Sequence, residues 1–266
     1  MRKAQFFYLL RRGLLSGGLN LIKEGLVMAS KFTTQGLSFP TTGSAEFNGT
    51  SDFIQLEPSP IGAVSAFTIS GWINTKQDST SQFKGVYSKG AGGYEDIVIF
   101  GGSTNKLGLY FRTDSGNSGN LYSTTIINDG NWHFFACQWD GSTNTAKLYI
   151  NGSLETTSSR TGSALTDSFA NATIGAYSDI DNFFDGNLAN VAIWNRALTS
   201  DEINSVMWKS YEGLTGTESN GLQAWYSLDD ITSPAASLAN MEQLATDKDA
   251  TIENKAAVTA AINALS

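Results

Sequence analysis

Charge is scarce in this 266-residue sequence. Lys and Arg number 17 and Asp and Glu 25, so charged residues are 16% of the chain, against about 25% in an ordinary soluble domain. There is one cysteine, Cys137, which excludes an internal disulfide. There is one histidine, His133, which excludes a metal centre built on several histidines. No run of 18 apolar residues occurs, so no segment reads as a membrane-spanning helix. Cys137 alternates with apolar neighbours and reads as a buried small hydrophobe.

Thr, Ser, Asn and Gly take the place of charge, and 41% of the residues are hydrophobic. That mixture suits short strands joined by turns. The length suits one large all-β domain with extensions, or two small domains. The net charge of −8 is uneven: Arg2, Lys3, Arg11, Arg12 and Lys23 face only Glu24 in residues 1–30, a net of +4, which leaves −12 for the remainder. So acidic a body repels nucleic acid and attracts cations or a basic partner.

Residues 1–44 read as a basic, apolar arm and linker. Arg2, Lys3, Phe6, Phe7, Arg11 and Arg12 are its candidate docking residues for a partner; a secretory or twin-arginine export signal is the alternative. From about 45 to 195, apolar-alternating runs recur between Gly, Asn, Asp and Ser clusters, and Gly221–Leu228 reads as a last strand. Phe67–Ile73 is apolar at every second position, and Lys106–Arg112 reads K-L-G-L-Y-F-R. Frequent strands without intervening helices imply antiparallel layers. Thr199-Ser200-Asp201-Glu202 is a capping box, followed by Ile203, Val206 and Met207 at helical spacing. Residues 229–266 are Ala-rich and read as a helical C-terminal tail.

Three segments carry a family likeness. Phe47-Asn48-Gly49-Thr50-Ser51-Asp52-Phe53-Ile54 is the first. Asn131-Trp132-His133-Phe134-Phe135-Ala136 followed by Leu148-Tyr149-Ile150-Asn151-Gly152 is the second. Phe184-Asp185-Gly186-Asn187-Leu188-Ala189-Asn190-Val191-Ala192-Ile193-Trp194-Asn195-Arg196-Ala197-Leu198 is the third. Together they resemble the laminin G-like, concanavalin A-like jelly-roll domains. The resemblance implies an all-β, two-sheet antiparallel sandwich over 45–228, with a short capping helix, an N-terminal arm and a helical C-terminal tail. Trp72, Trp132, Trp139 and Trp194 are expected between the sheets. The chain departs from the family at Leu188-Ala189-Asn190-Val191, where two carboxylates are usual. A sandwich between a basic arm and an Ala-rich tail also resembles, in layout, structural proteins of tailed marine phages.

The resemblance implies lectin-like recognition. The glycoside hydrolases of family 16 share the sandwich and carry Glu-x-Asp-x-x-Glu or Glu-x-Asp-x-Glu on one strand, which this sequence lacks. Its acidic pairs, Glu95-Asp96, Asp201-Glu202 and Asp229-Asp230, are adjacent, and adjacent strand residues point to opposite faces. No enzyme activity is therefore expected. His133 reads as a strand-edge residue bonded to a neighbouring backbone group. Ca²⁺ is the candidate cofactor, with Asp179, Asp181, Asn182 and Asp185 as ligands. Tyr94, Tyr177 and Phe183 are the candidate sugar-stacking residues. The expected role is a virion component (capsid decoration, tail or fibre) contacting shell proteins or host-surface glycans. The alternative is a carbohydrate-binding module at the cell surface or outside the cell. Self-association into a homo-oligomer is expected in either case.

Overall fold

A computed structural model describes residues 43–78, 83–91, 94–177 and 180–228, without the side chains of residues 91, 94, 102 and 103. The basic arm, the Ala-rich tail and Asp179 lie outside the described residues. The strands in chain order are β1 (Ala45–Asn48), β2 (Ile54–Leu56), β3 (Ala66–Asn74), β4 (Lys84–Ala91), β5 (Tyr94–Gly102), β6 (Lys106–Arg112) and β7 (Ser118–Ile126). They continue as β8 (His133–Asp140), β9 (Thr145–Ile150), β10 (Ser153–Ser159), β11 (Ala172–Ile174), β12 (Asp185–Trp194) and β13 (Leu222–Tyr226), with one α-helix among the described residues, α1 (Ser200–Val206), before the last strand.

The strands form two antiparallel sheets. One has the order β1-β12-β3-β8-β9-β10, with β13 also on β12; the other has the order β2-β11-β4-β5-β6-β7. β1 pairs with residues 185–188 of β12, and β13 with residues 191–194, so the first and last strands follow one another along a single edge. Asn151 (φ 51°) and Gly152 (φ 79°) turn β9 into β10, as a two-residue hairpin requires. Across the open side of the sandwich, the Glu155 carboxylate of β10 accepts the amides of Thr124 (2.8 Å) and Thr125 (3.1 Å) on β7. A side chain thus satisfies backbone donors that a further strand would otherwise take.

Register decides which residues meet. Phe67 of β3 stands opposite Trp139 of β8, Ile69 opposite Cys137 and Gly71 opposite Phe135. These face the second sheet, where Phe111 of β6 lies edge-on to Phe67 at 5.3 Å and tilted to Trp139 at 5.7 Å. All are fully buried, and each ring contributes roughly 1.5–3 kcal/mol over exposure to water.

The tryptophans divide differently from the expectation. Only Trp139 of the four lies between the sheets. Trp72 pairs with Phe134, and Trp194 with Thr68, on the opposite face of the seven-stranded sheet. There α1 and residues 207–220 cover them: the Trp72 indole donates to Met207 O (3.2 Å) and that of Trp194 to Glu218 O (2.7 Å). Trp225 stacks edge-on to Trp194 at 6.2 Å. Trp132 precedes β8 and is half-buried. The reason is period two: the indoles at 72 and 139 occupy opposite parities of paired strands, and each face has its own cover.

The capping box forms as read, with the Thr199 hydroxyl accepting from the Glu202 amide and the Glu202 carboxylate accepting from Thr199 N–H. Arg196 grips Glu202 in a two-bond fork (2.8 and 2.9 Å) and donates to the carbonyls of Asn220 and Thr217. Lys209 bonds both oxygens of Glu218 at 2.6 Å. The Arg196 contacts tie the cover to the end of β12, and the Lys209–Glu218 pair closes the cover on itself.

Candidate functional site

The six-stranded sheet turns one set of side chains to the core and the alternate set outward. Ile97, Ile99, Leu107, Leu109, Phe111 and Leu121 are buried against the other sheet. The other parity places Val98 and Phe100 of β5, Tyr110 and Arg112 of β6, and Asn120 and Tyr122 of β7 on the outer face. Val98 and Phe100 are nevertheless only 2% exposed. They form the floor of a hollow of about 290 Å³ lined by Phe83, Glu95, Val98, Phe100, Tyr110, Arg112, Asn120 and Tyr177.

Two glycines shape it. A side chain at Gly108 would collide with the Phe100 ring, so its absence lets that ring lie across β6. A Cβ at Gly85 would come to 2.5 Å from Ala176 O and 2.6 Å from Tyr177 N, so its absence brings that loop down onto β4. The Gly85 amide also donates to Asn182 O at 2.9 Å, which holds the loop over the sheet. Phe83 is 38% exposed and sits 4.6 Å from the Phe100 ring, while Tyr122 meets Phe100 edge-on at 6.0 Å. The result is an aromatic floor and two aromatic walls.

The polar groups are separated by a β-bulge. Gly90 pairs with Glu95 and Lys89 with Ile97, which leaves Asp96 as the extra residue. Glu95 therefore turns to the hollow, where it accepts from the Ser88 hydroxyl (2.9 Å). Asp96 turns inward and is fully buried. One of its oxygens accepts from Lys89 Nζ (3.4 Å) and the amides of Ser168 (2.8 Å) and Phe169 (3.3 Å); the other accepts from Arg112 Nη2 (3.3 Å). Lys89, also fully buried, makes a second ion pair with Asp167. Arg112 thus reaches the hollow with a carboxylate behind it. Asn120 donates to the Tyr122 hydroxyl at 2.9 Å. Burial, reinforced by the charges of Glu95 and Asp181, pushes the Tyr177 phenol above its ordinary pKa, so it stays protonated.

Of the expected sugar-stacking residues, Tyr177 lines the hollow. Tyr94 opens β5, and its side chain is outside the described set. Phe183 lies elsewhere: its ring packs on Phe53 at 6.3 Å, and its carbonyl accepts from Gln77. Phe83, Phe100, Tyr110, Arg112 and Asn120 were not anticipated. The run K-L-G-L-Y-F-R carried the signal, since it sets a glycine, a tyrosine and an arginine on one face of a strand whose other face is apolar.

Asp181, Asn182 and Asp185 lie on the neighbouring loop and strand. The Asn182 amide nitrogen donates to Asp181 Oδ1 (2.9 Å), so it presents a donor there. Asp185 is held by its backbone, accepting from Thr75 Oγ1 (2.5 Å) and donating to Gln77 Oε1 (3.0 Å). Ca²⁺ takes six to eight oxygens. Among the described residues, no group of three or more His, Cys, Asp or Glu could hold a metal ion. The described part of this loop therefore falls short of a Ca²⁺ shell, and Asp179 lies outside it. His133 accepts at Nδ1 from the Asn151 amide (3.3 Å), because Asn151 Oδ1 already takes the Phe134 N–H. Its Nε2–H then donates to Asp129 (3.0 Å). The histidine is thus held by two neighbouring side chains and not by the backbone group expected from the sequence. No helix among the described residues is long and apolar enough to cross a membrane.

The family model described as "Concanavalin A-like lectin/glucanases superfamily" matches residues 48–204. Among solved structures, a putative carbohydrate binding protein from Bacteroides ovatus ATCC 8483 superposes with a TM-score of 0.57 at 17% identity, covering 73% of this chain and 54% of that one. The chain thus spans about half the length of that protein. The CBM40 of the Ruminococcus gnavus IT-sialidase, in a structure bound to alpha2,3 sialyllactose, gives 0.52 at 18% identity over 62% of this chain and 97% of that one. A native heptameric SAP-like pentraxin from Limulus polyphemus gives 0.50 at 18% identity over 64% and 83%. At these identities the likeness shows the fold. No curated protein matches the sequence.

Proposed function

The chain belongs to the concanavalin A-like lectin/glucanases superfamily, and on that premise we propose that it is a non-enzymatic carbohydrate-binding protein that takes a sugar in the hollow of its six-stranded sheet. One observation carries the reading: an outward sheet face on which Phe83, Phe100, Tyr110 and Tyr177 line a hollow together with Glu95, Arg112 and Asn120. A sugar ring has a C–H face and a hydroxyl rim. Aromatic surfaces meet the first, and a few fixed polar groups meet the second. The names of the Bacteroides and Ruminococcus proteins support the same reading.

The fate of the two acids supports the non-enzymatic part of this reading. Retaining glycoside cleavage needs two carboxyls about 5–5.5 Å apart, both facing the substrate. Asp96 is fully buried, with its oxygens taken by four donors, and among the described residues lining the hollow Glu95 is the one acid.

A cell-surface or extracellular location belongs to this proposal, as does self-association, which light scattering tests. Ca²⁺ has no step in it. The virion reading rests on the arm and the tail, of which residues 1–42 and 229–266 lie outside the described residues, so the hollow carries the proposal and the arm does not.

The test is a glycan array probed with the full chain, followed by calorimetric titration of the best hit against Phe83→Ala and Tyr110→Ala. Loss of one aromatic surface of about 1–2 kcal/mol weakens binding roughly five- to thirty-fold. Leu154→Ala, an exposed residue on β10, leaves affinity unchanged. A blank array, or hollow variants that bind like the parent, would remove the reading.

A further inference from the structure

We infer that the hollow is built for an uncharged sugar unit and discriminates against one bearing a carboxylate. The inference rests on the carbohydrate reading and names the ligand class for the same site.

The argument begins with the cation. Arg112 is the cationic residue lining the hollow, and an arginine there suggests an anion at first sight. Its charge is already met, because Nη2 bonds the fully buried Asp96. The set also contains Lys89, paired with both Asp96 and Asp167. Two cations and two carboxylates balance. A ligand carboxylate that drew Arg112 to itself would weaken the bond to Asp96 Oδ1 and leave that oxygen of a fully buried carboxylate without its donor, since Lys89 and the amides of Ser168 and Phe169 all bond the other oxygen. It would also arrive beside Glu95, an acid on the same lining.

An uncharged ligand meets neither obstacle. The Arg112 side chain stays 27% exposed while Nη2 holds Asp96, so the guanidinium, with five N–H donors, keeps capacity for a further acceptor. A sugar hydroxyl oxygen supplies it without adding charge. The Asn120 amide and the protonated Tyr177 phenol are neutral groups suited to further hydroxyls.

The experiment is calorimetric titration of the full chain at pH 7 and 0.15 M NaCl with matched neutral and acidic probes: lactose and α2,3-sialyllactose, galactotriose and trigalacturonic acid, xylotriose and its glucuronylated form. The expected result is a neutral probe bound about ten-fold or more tighter than its acidic counterpart. An acidic probe that binds as tightly as, or tighter than, its neutral counterpart overturns the inference and leaves the carbohydrate reading standing. No binding by any probe removes that reading, and the inference with it. Asp96→Asn supplies a second arm. It strips the anion from behind Arg112, so in a variant folded by circular dichroism the acidic-to-neutral preference rises about ten-fold; an unchanged ratio there also overturns the inference.

Discussion

Replacing Gly85 by alanine adds a single methyl group and tests how the fold builds the hollow. The new Cβ would stand 2.5 Å from Ala176 O and 2.6 Å from Tyr177 N, where ordinary contact begins near 3.4 Å. Both neighbours are backbone atoms, so no side chain can swing away. The backbone at Ala176 and Tyr177 must lift by about 1 Å, and overpacking of this kind costs roughly 1–3 kcal/mol. At about 2–4 °C per kcal/mol for a domain of this size, the melting temperature falls by roughly 2–12 °C. The same lift carries Tyr177 off the Phe100 floor and weakens the Gly85 N–H to Asn182 O bond. Sugar affinity should then fall about ten-fold, equivalent to losing one wall at about 1.4 kcal/mol. Differential scanning fluorimetry reads the first effect and calorimetry the second. Gly116→Ala is the control, because a Cβ at Gly116 meets nothing within 4 Å; its positive φ of 76° makes its cost local and independent of the hollow. A Gly85→Ala protein that melts and binds like the parent would refute the account of how Tyr177 is placed.

Acid stability provides a test at the opposite face. Burial alone would raise the Glu218 carboxyl, but hydrogen bonds from Lys209, Ser205 and Thr215 outweigh it and hold the pKa at about 2, against an ordinary 4.5. A depressed carboxyl stabilises the fold fully above 4.5, and that contribution is lost as pH falls toward 2. About 2.5 pH units at 1.36 kcal/mol each gives roughly 3 kcal/mol. Urea unfolding of the wild type should therefore steepen in pH dependence between 4.5 and 2, while Glu218→Gln is less stable at pH 7 and flatter across that window. Cys137 is fully buried and its thiol is pushed above its ordinary pKa by desolvation. Iodoacetamide at pH 8 should leave it unmodified in the folded protein and alkylate it in urea, as read by mass spectrometry.

The fold was legible where local chemistry dictates local geometry. Thr199-Ser200-Asp201-Glu202 could satisfy the first amides of a helix in only one way, and the structure shows that capping box. Asn151-Gly152 carried the positive φ values of a tight hairpin in its residue types. Alternation showed that Trp72, Trp139 and Trp194 would be buried. It could not show that α1 and residues 207–220 supply a second apolar cover, because parity divides two faces without saying what lies on each. The site was less legible for the same reason. Tyr177 was visible as an aromatic residue in a loop, but its neighbours Tyr110 and Arg112 come from a strand read for its core side. The division of Glu95 from Asp96 depends on a bulge, which requires counting residues on the partner strand β4. Phe183 resembles Tyr177 in sequence setting, yet it stacks on Phe53, a contact made across the turn after β1.

The account stands most directly on where a sugar contacts the molecule. Two-dimensional amide NMR of the labelled full chain, titrated with the tightest array ligand, should concentrate its shift changes on Glu95, Tyr110, Arg112, Asn120 and Tyr177. Changes gathered instead on the cover around α1 and Trp208, with these five unmoved, would contradict it.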